Sequence, residues 1–140
     1  MSLLRTYPFL IPVLVMLLSE IAKMLTEHRR TGTWHNGIFR TGGMPSSHSA
    51  FVTSLLIVVE RSRGFDSVDF ALAFTLAAVV WYDAISLRRE VGLQAEMLNK
   101  LQHFTHLRTR IGHSLKEVLA GIVFGTVITY AGIALSRMTV

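Results

Sequence analysis

Residues Leu115–Ser136 read LKEVLAGIVFGTVITYAGIALS. From Val118 onward the stretch carries no charge, and its length matches the roughly 20 apolar residues that a helix needs to cross a bilayer. Three other apolar stretches accompany it. Tyr7–Leu25 (YPFLIPVLVMLLSEIAKML) and Val68–Leu87 (VDFALAFTLAAVVWYDAISL) have spanning length. Ser46–Val59 (SSHSAFVTSLLIVV) is shorter and can span if it starts below the interface, inside a recess lined by protein. Half of the composition is hydrophobic and only 16% is charged, which is low for a soluble chain. These features predict an all-α fold: one domain over residues 1–140, an integral membrane bundle of about four transmembrane helices. Arg5 before the first apolar run resembles a signal peptide. Glu20 and Lys23 follow it without a small-residue cleavage site, so a retained helix is expected.

The chain has no cysteine, which excludes disulfides, thiol catalysis and thiolate metal sites while leaving the redox compartment open. Its net charge of +5 is distributed by topology. With four spans, residues 23–45 and 88–116 lie on one side. The first of these loops holds Lys23, Arg29, Arg30 and Arg40; the other holds Arg88, Arg89, Lys100, Arg108, Arg110 and Lys116. Only Arg5, Arg61, Arg63 and Arg137 remain for the opposite side. That bias predicts cytoplasmic basic loops in a bacterial-type inner or plasma membrane. Attraction to anionic lipid covers most of the basicity, and no nucleic-acid partner is expected.

The first loop contains TGTWHNGIFRTGGMP, which reads as irregular. The second, RSRGFDS, is short enough to join antiparallel neighbours. In the third, Leu93, Met97, Leu98 and Leu101 have helical spacing. They fit either an extension of the third helix past Gly92 or an amphipathic helix in the interface, and both stay open.

Thr41–Phe51 reads TGGMPSSHSAF. Ser46 or Ser47 can cap the exposed N–H groups of the next helix, and Pro45 fits the turn before it or its first position. Gly42 and Gly43 permit unusual dihedrals and a close approach to a ligand. A helix N-terminus favours anions, phosphate above all, and His48 in its first turn adds a proton donor. The plainer reading is a well-capped membrane helix with an interfacial histidine, and this stretch alone weighs the two about equally.

The start of the fourth span shifts that balance. His113, Glu117, Gly121 and Gly125 are spaced four apart and form one helical ridge. Glu117 can accept a hydrogen bond from one ring nitrogen of His113, leaving the other as a base or nucleophile. Gly121 and Gly125 form a small-xxx-small pair that admits a neighbouring helix on the same face. Glycine packing alone is the plainer alternative, yet a carboxylate entering an apolar helix is a functional candidate. His48, His113, Lys23, Arg88 and Arg89 all fall at the basic membrane face, an arrangement suited to phosphate-ester chemistry.

GGMPSSHSA, followed by YDAISLRREVGLQAEMLN and GHSLKEVLAG, resembles the divergent branch of the type-2 phosphatidic acid phosphatase family, related to acid phosphatases and vanadium-dependent haloperoxidases. The resemblance runs from about Ser19 to Gly125. It implies a metal-independent phosphatase without cofactor that works through a phosphohistidine. His113 resembles the nucleophile, Glu117 its orienting carboxylate and His48 the general acid. The backbone of Ser46, Ser47 and His48 would bind phosphoryl oxygens, with Lys23, Arg88 and Arg89 completing the cradle. Several positions depart from the family pattern: PSSH replaces PSGH, and HxxxE replaces HxxxD. Lys23 and Arg30 keep the spacing of the first motif, but Thr31 replaces its proline. Leu107 stands where an arginine is expected before the nucleophile, and Arg88 and Arg89 are the better substitutes. Arg30 and Arg40 are candidates for a supporting role around the cradle, with the part each plays left open.

Asp83 can orient Arg88, Arg89 or Lys23, or belong to a purely structural ion pair. With Glu96 and Asn99 it could instead hold Mg²⁺, a reading the spacing supports little. The expected substrate is a lipid phosphomonoester such as phosphatidylglycerophosphate or phosphatidate. An undecaprenyl-type pyrophosphate phosphatase, a lipid phosphotransferase and a non-catalytic lipid-binding protein are the alternatives. Four helices make a small enclosure for a lipid, so a homodimer is a further expectation.

Overall fold

The structure, a computed structural model, describes residues 7–32, 43–101, 106, 107, 109 and 113–138. Among these the chain forms four helices and no strand. α1 spans Leu10–Thr31 and α2 spans Ser47–Arg63. α3 runs continuously over Val68–Leu101, and α4 spans Leu115–Met138. The irregular first loop expected from sequence falls mostly on residues 33–42, outside the described residues.

α3 resolves the third loop in favour of an extension. Its first part, Val68–Tyr82, passes through a π-helical turn at Asp83–Leu87 and continues as Arg88–Leu101. The apolar spacing of Leu93, Met97, Leu98 and Leu101 therefore belongs to the end of a 34-residue helix, not to a separate interfacial one. At 1.5 Å per residue that helix is about 51 Å long, well beyond the ~30 Å hydrocarbon core. Asn99 anchors the chain that returns from it. Its amide donates to the Leu107 carbonyl and accepts from the Leu107 N–H, both at 2.8 Å.

The distribution of residue types is that of a bundle in lipid. Ser19, Ser46, Ser49, Ser54 and Thr129 are completely buried, whereas Val79, Val123 and Val127 are at least 60% exposed. Water would drive those valines inward, but lipid does not, so small and polar residues are left to fill the helix contacts. Val68–Leu101 and Leu115–Leu135 each have the length and composition to cross a membrane. α1 carries Glu20 and Lys23 in its interior, and α2 has 17 residues.

α2 packs against all three other helices. Its contact with α4 is a ladder of small residues stepping by four on each side. A Cβ on Gly121 would lie 2.4 Å from the Ser46 carbonyl oxygen, and one on Gly125 would lie 2.6 Å from that of Ala50. One turn further, Thr129 Oγ1 donates to Ser54 Oγ at 2.7 Å. The rows 46, 50, 54 and 121, 125, 129 advance together, so α2 and α4 run parallel with both N-termini at one end. α1 runs the other way, bringing Glu20 to Ser47 and Lys23 to Gly43. Ile11, Val15, Ala50 and Val58, with Phe124, Ile128 and Ile133, fill the remaining core.

Candidate active site

The N-terminus of α2 is built by its own serines. Ser46 is the N-cap: its hydroxyl accepts from the Ser49 N–H at 3.5 Å and from the Ser49 hydroxyl at 3.0 Å. Its backbone N–H donates across to the Glu117 carbonyl at 3.2 Å, tying the starts of α2 and α4 together. Pro45 lies in the turn before the cap. Gly43 precedes it with φ +94°, and a Cβ there would stand 3.3 Å from Lys23 Cγ, so glycine serves both the dihedral and the close approach. His48, in the first turn, is exposed.

The Ser47 side chain is engaged by a neighbouring helix. Its buried hydroxyl donates to Glu20 Oε1, which also accepts from Lys23 Nζ at 3.1 Å. Glu20, Lys23 and Ser47 are each at most 4% exposed. The Ser47 hydroxyl is thus held by a carboxylate, and any anion at this turn would meet the backbone N–H groups of Ser47 and His48 instead.

His113 and Glu117 form the pair that their spacing predicts. His113 Nδ1 lies 3.2 Å from Glu117 Oε2, with both side chains largely buried. An ionised carboxylate only accepts, so Nδ1 carries the proton and the lone pair sits on Nε2. The same Oε2 accepts from the Ser114 N–H at 2.8 Å, while the Glu117 N–H donates to Ser114 Oγ at 3.3 Å. This is a capping box, so Glu117 both closes the start of α4 and orients the imidazole. Burial lowers the His113 pKa from its ordinary value near 6.5, Lys23 and Arg88 lower it further, and Glu117 opposes them.

Arg88 comes from α3. Its Nε donates to Asp83 Oδ2 at 2.8 Å, a half-exposed pair. Lys23 and Arg88 act electrostatically on His48 as well as on His113, and Glu20 and Asp83 act on His48 too. The structure therefore gathers His48, His113, Glu117, Lys23, Arg88 and Asp83 at one end of the bundle. Arg89, the residue after Arg88, is exposed. Arg40 and the Arg30 side chain lie outside the described residues.

The alternative of Asp83, Glu96 and Asn99 as Mg²⁺ ligands is overturned by their partners. Asp83 holds Arg88, Glu96 pairs with Lys100 at 3.0 Å, and Asn99 is bound to the Leu107 backbone. Sequence reasoning missed three contributors, two of which left a signal. Glu20 is a carboxylate inside an apolar helix, three residues from a lysine. SLKE at Ser114–Glu117 is the capping-box pattern. The grip of Asn99 on Leu107 left none, because nothing local fixes where the returning chain passes.

No solved structure matches the chain. It is 37% identical over 103 residues, 72% of its length, to a membrane protein of Bacillus subtilis (strain 168) named as the uncharacterized membrane protein YuiD. The aligned part spans 65% of that relative. Residues 4–128 match the family described as the Divergent PAP2 family. With nearly the whole helical bundle inside that match, the chain is a membrane protein belonging to the Divergent PAP2 family.

Proposed function

We propose that this protein is a membrane lipid-phosphate phosphatase working through a phosphohistidine. The observation that carries the reading is the oriented pair of His113 and Glu117 at the end of the bundle where His48, Lys23 and Arg88 also lie. Nε2 of His113 attacks phosphorus, the bond from phosphorus to the ester oxygen breaks, and His48 delivers a proton to the leaving alkoxide. His48, now neutral, takes a proton from water as its oxygen attacks the phosphohistidine. Inorganic phosphate leaves and His113 is restored. Arg88, Lys23 and the N–H groups of Ser47 and His48 stabilise the charge on the equatorial oxygens.

The basic bias of the loops favours a cytoplasmic site and a lipid phosphomonoester made on that side, such as phosphatidylglycerophosphate or phosphatidate. The test is phosphate release by purified protein from vesicles carrying a panel of lipid phosphates, alongside His113→Ala. Release by the wild type and its loss in the variant are expected. An inactive wild type, or a variant matching it, sinks the enzyme reading. Water as acceptor predicts free phosphate as the product; a phosphorylated alcohol would mark a transferase instead.

A further inference from the structure

The π turn at Asp83–Leu87 has two geometric consequences, one on each side of the site. In an α-helix the Arg88 N–H would bond to the Ala84 carbonyl, four residues back. Here it bonds to the carbonyl of Asp83, five residues back. The Ala84 carbonyl accepts instead from the backbone N–H of His113 at 3.2 Å. The wider turn also lays residues five apart on the same side of the helix. That is why the side chains of Asp83 and Arg88 meet at 2.8 Å, a spacing an α-helix would splay apart. The pair occupies only Nε, leaving the terminal amino groups of Arg88 for another acceptor.

We infer that the π turn is the alignment device of this site. Asp83 acts as the positioning residue that aims Arg88 at phosphate, and the diverted Ala84 carbonyl fixes the backbone of His113 against the same turn. The inference rests on the phosphatase reading for the identity of the ligand, and on the helix geometry for the rest. One insertion in α3 thereby sets the anion-binding guanidinium and the histidine in mutual register. The segment after α3 supports this register from outside. Gly92 lets the Thr109 carbonyl approach so closely that a Cβ would stand 2.3 Å from it, and Asn99 holds Leu107.

Two variants of the full chain test it: Asp83→Asn, and deletion of Ile85. Removing one residue from the π turn restores α geometry: Asp83 and Arg88 become four apart and keep their pair, while the Ala84 carbonyl takes the Arg89 N–H as its helical donor and releases the His113 N–H. The readouts are kcat and KM on a lipid phosphate, inhibition by inorganic phosphate, line broadening of inorganic phosphate in ³¹P spectra, and thermal midpoint. Asp83→Asn is expected to weaken phosphate binding and raise KM roughly tenfold, the worth of one charge-assisted contact. Its thermal midpoint should stay close to wild type, because a half-exposed pair adds little to stability. Deletion of Ile85, which keeps the Asp83–Arg88 pair but frees the His113 backbone, should lower turnover with little change in phosphate binding, and unchanged turnover overturns the role given to the Ala84 carbonyl.

The exchanged pair Asp83→Arg with Arg88→Asp separates positioning from simple pairing. Under the inference it melts like wild type and still fails to bind phosphate, whereas recovery of phosphate binding overturns the positioning role. Unchanged KM and phosphate binding in Asp83→Asn overturn the inference while leaving the phosphatase reading intact. A wild type that binds phosphate without hydrolysing lipid phosphates, with binding lost in Asp83→Asn, upholds the inference and sinks the phosphatase. A wild type that does neither overturns both. If the deletion variant does not fold, the Asp83→Asn result decides.

Discussion

Replacing Gly121 by alanine tests whether the contact between the parallel helices α2 and α4 sets the site. The added Cβ would stand 2.4 Å from the Ser46 carbonyl oxygen and 2.9 Å from Ser49 Cβ. Neither neighbour is the flexible end of a long side chain, so the two helices must part by about 1 Å to reach ordinary contact. Overpacking of this kind costs about 1–3 kcal/mol, against about 1 kcal/mol that alanine returns in helix propensity. The net effect is a destabilisation of up to ~2 kcal/mol. Gly132 is the internal control. There the nearest atom, Ile11 Cγ2, would be 3.7 Å from the new Cβ, so only the propensity gain remains. Thermal melting in detergent should therefore shift downward for Gly121→Ala and stay level or rise for Gly132→Ala. Moving Ser46 also disturbs its bond to the Glu117 carbonyl and the first turn that carries His48. A displacement near 1 Å can lower turnover by about 100-fold. A Gly121→Ala protein as stable and as active as wild type would refute the reasoning, as would a Gly132→Ala protein that melts lower than Gly121→Ala.

Four further outcomes are expected. Burial, followed by Lys23 and Arg88, holds the His113 pKa below 6.5, so its neutral, nucleophilic form persists into mild acid. The acid limb of kcat/KM should then lie below pH 6.5, and a limb at or above that value contradicts the environment described. The stability linked to neutral His113 is full above pH 6.5 and is lost as pH falls through its lowered value. Glu117→Gln removes the group opposing the shift, so the same limb should move further toward acid while kcat drops, as a pH–rate profile would show. Glu20→Gln or Lys23→Met alone breaks the buried ion pair and should cost about 3–5 kcal/mol in denaturation, with the double variant recovering much of it. Asn99→Ala strips two hydrogen bonds from the Leu107 backbone and should cost about 1–3 kcal/mol, with faster proteolysis near residue 107 as the check.

The bundle was legible because lipid imposes length and apolarity on each span, and those are properties of composition along the chain. The pair His113–Glu117 was legible for a related reason: its geometry is local, fixed by one helical turn. Residues joined through the fold were much less so. The hydroxyl of Ser47 meets Glu20 on an antiparallel helix, and a serine at a helix start does not announce such a partner. The pairing of Arg88 with Asp83 depends on a π turn, and no periodicity in DAISLRR announces one. The row Ser46, Ala50, Ser54 could have been matched with Gly121, Gly125, Thr129 from sequence, since small residues four apart are the mark of close helix contact in membranes.

The charge layout arises from placing two helix N-termini side by side. Parallel packing of α2 and α4 brings two positive dipole ends to the same place, each equivalent to about half a charge. Lys23 and Arg88 add two full charges there, so the end of the bundle would be strongly repulsive before any anion arrives. Three carboxylates relieve this, each tied to one site group. Glu20 holds Lys23, Asp83 holds Arg88, and Glu117 holds His113. Two of these carboxylates also perform a second task. Glu20 accepts from Ser47 at the head of α2, and Glu117 closes the first turn of α4. Glu20 and Glu117, which help make this concentration of positive charge tolerable, therefore also fix its helices. Neutralising any one of them should disturb geometry and charge together, whereas removing His48, which is exposed, should remove proton transfer and leave the bundle standing.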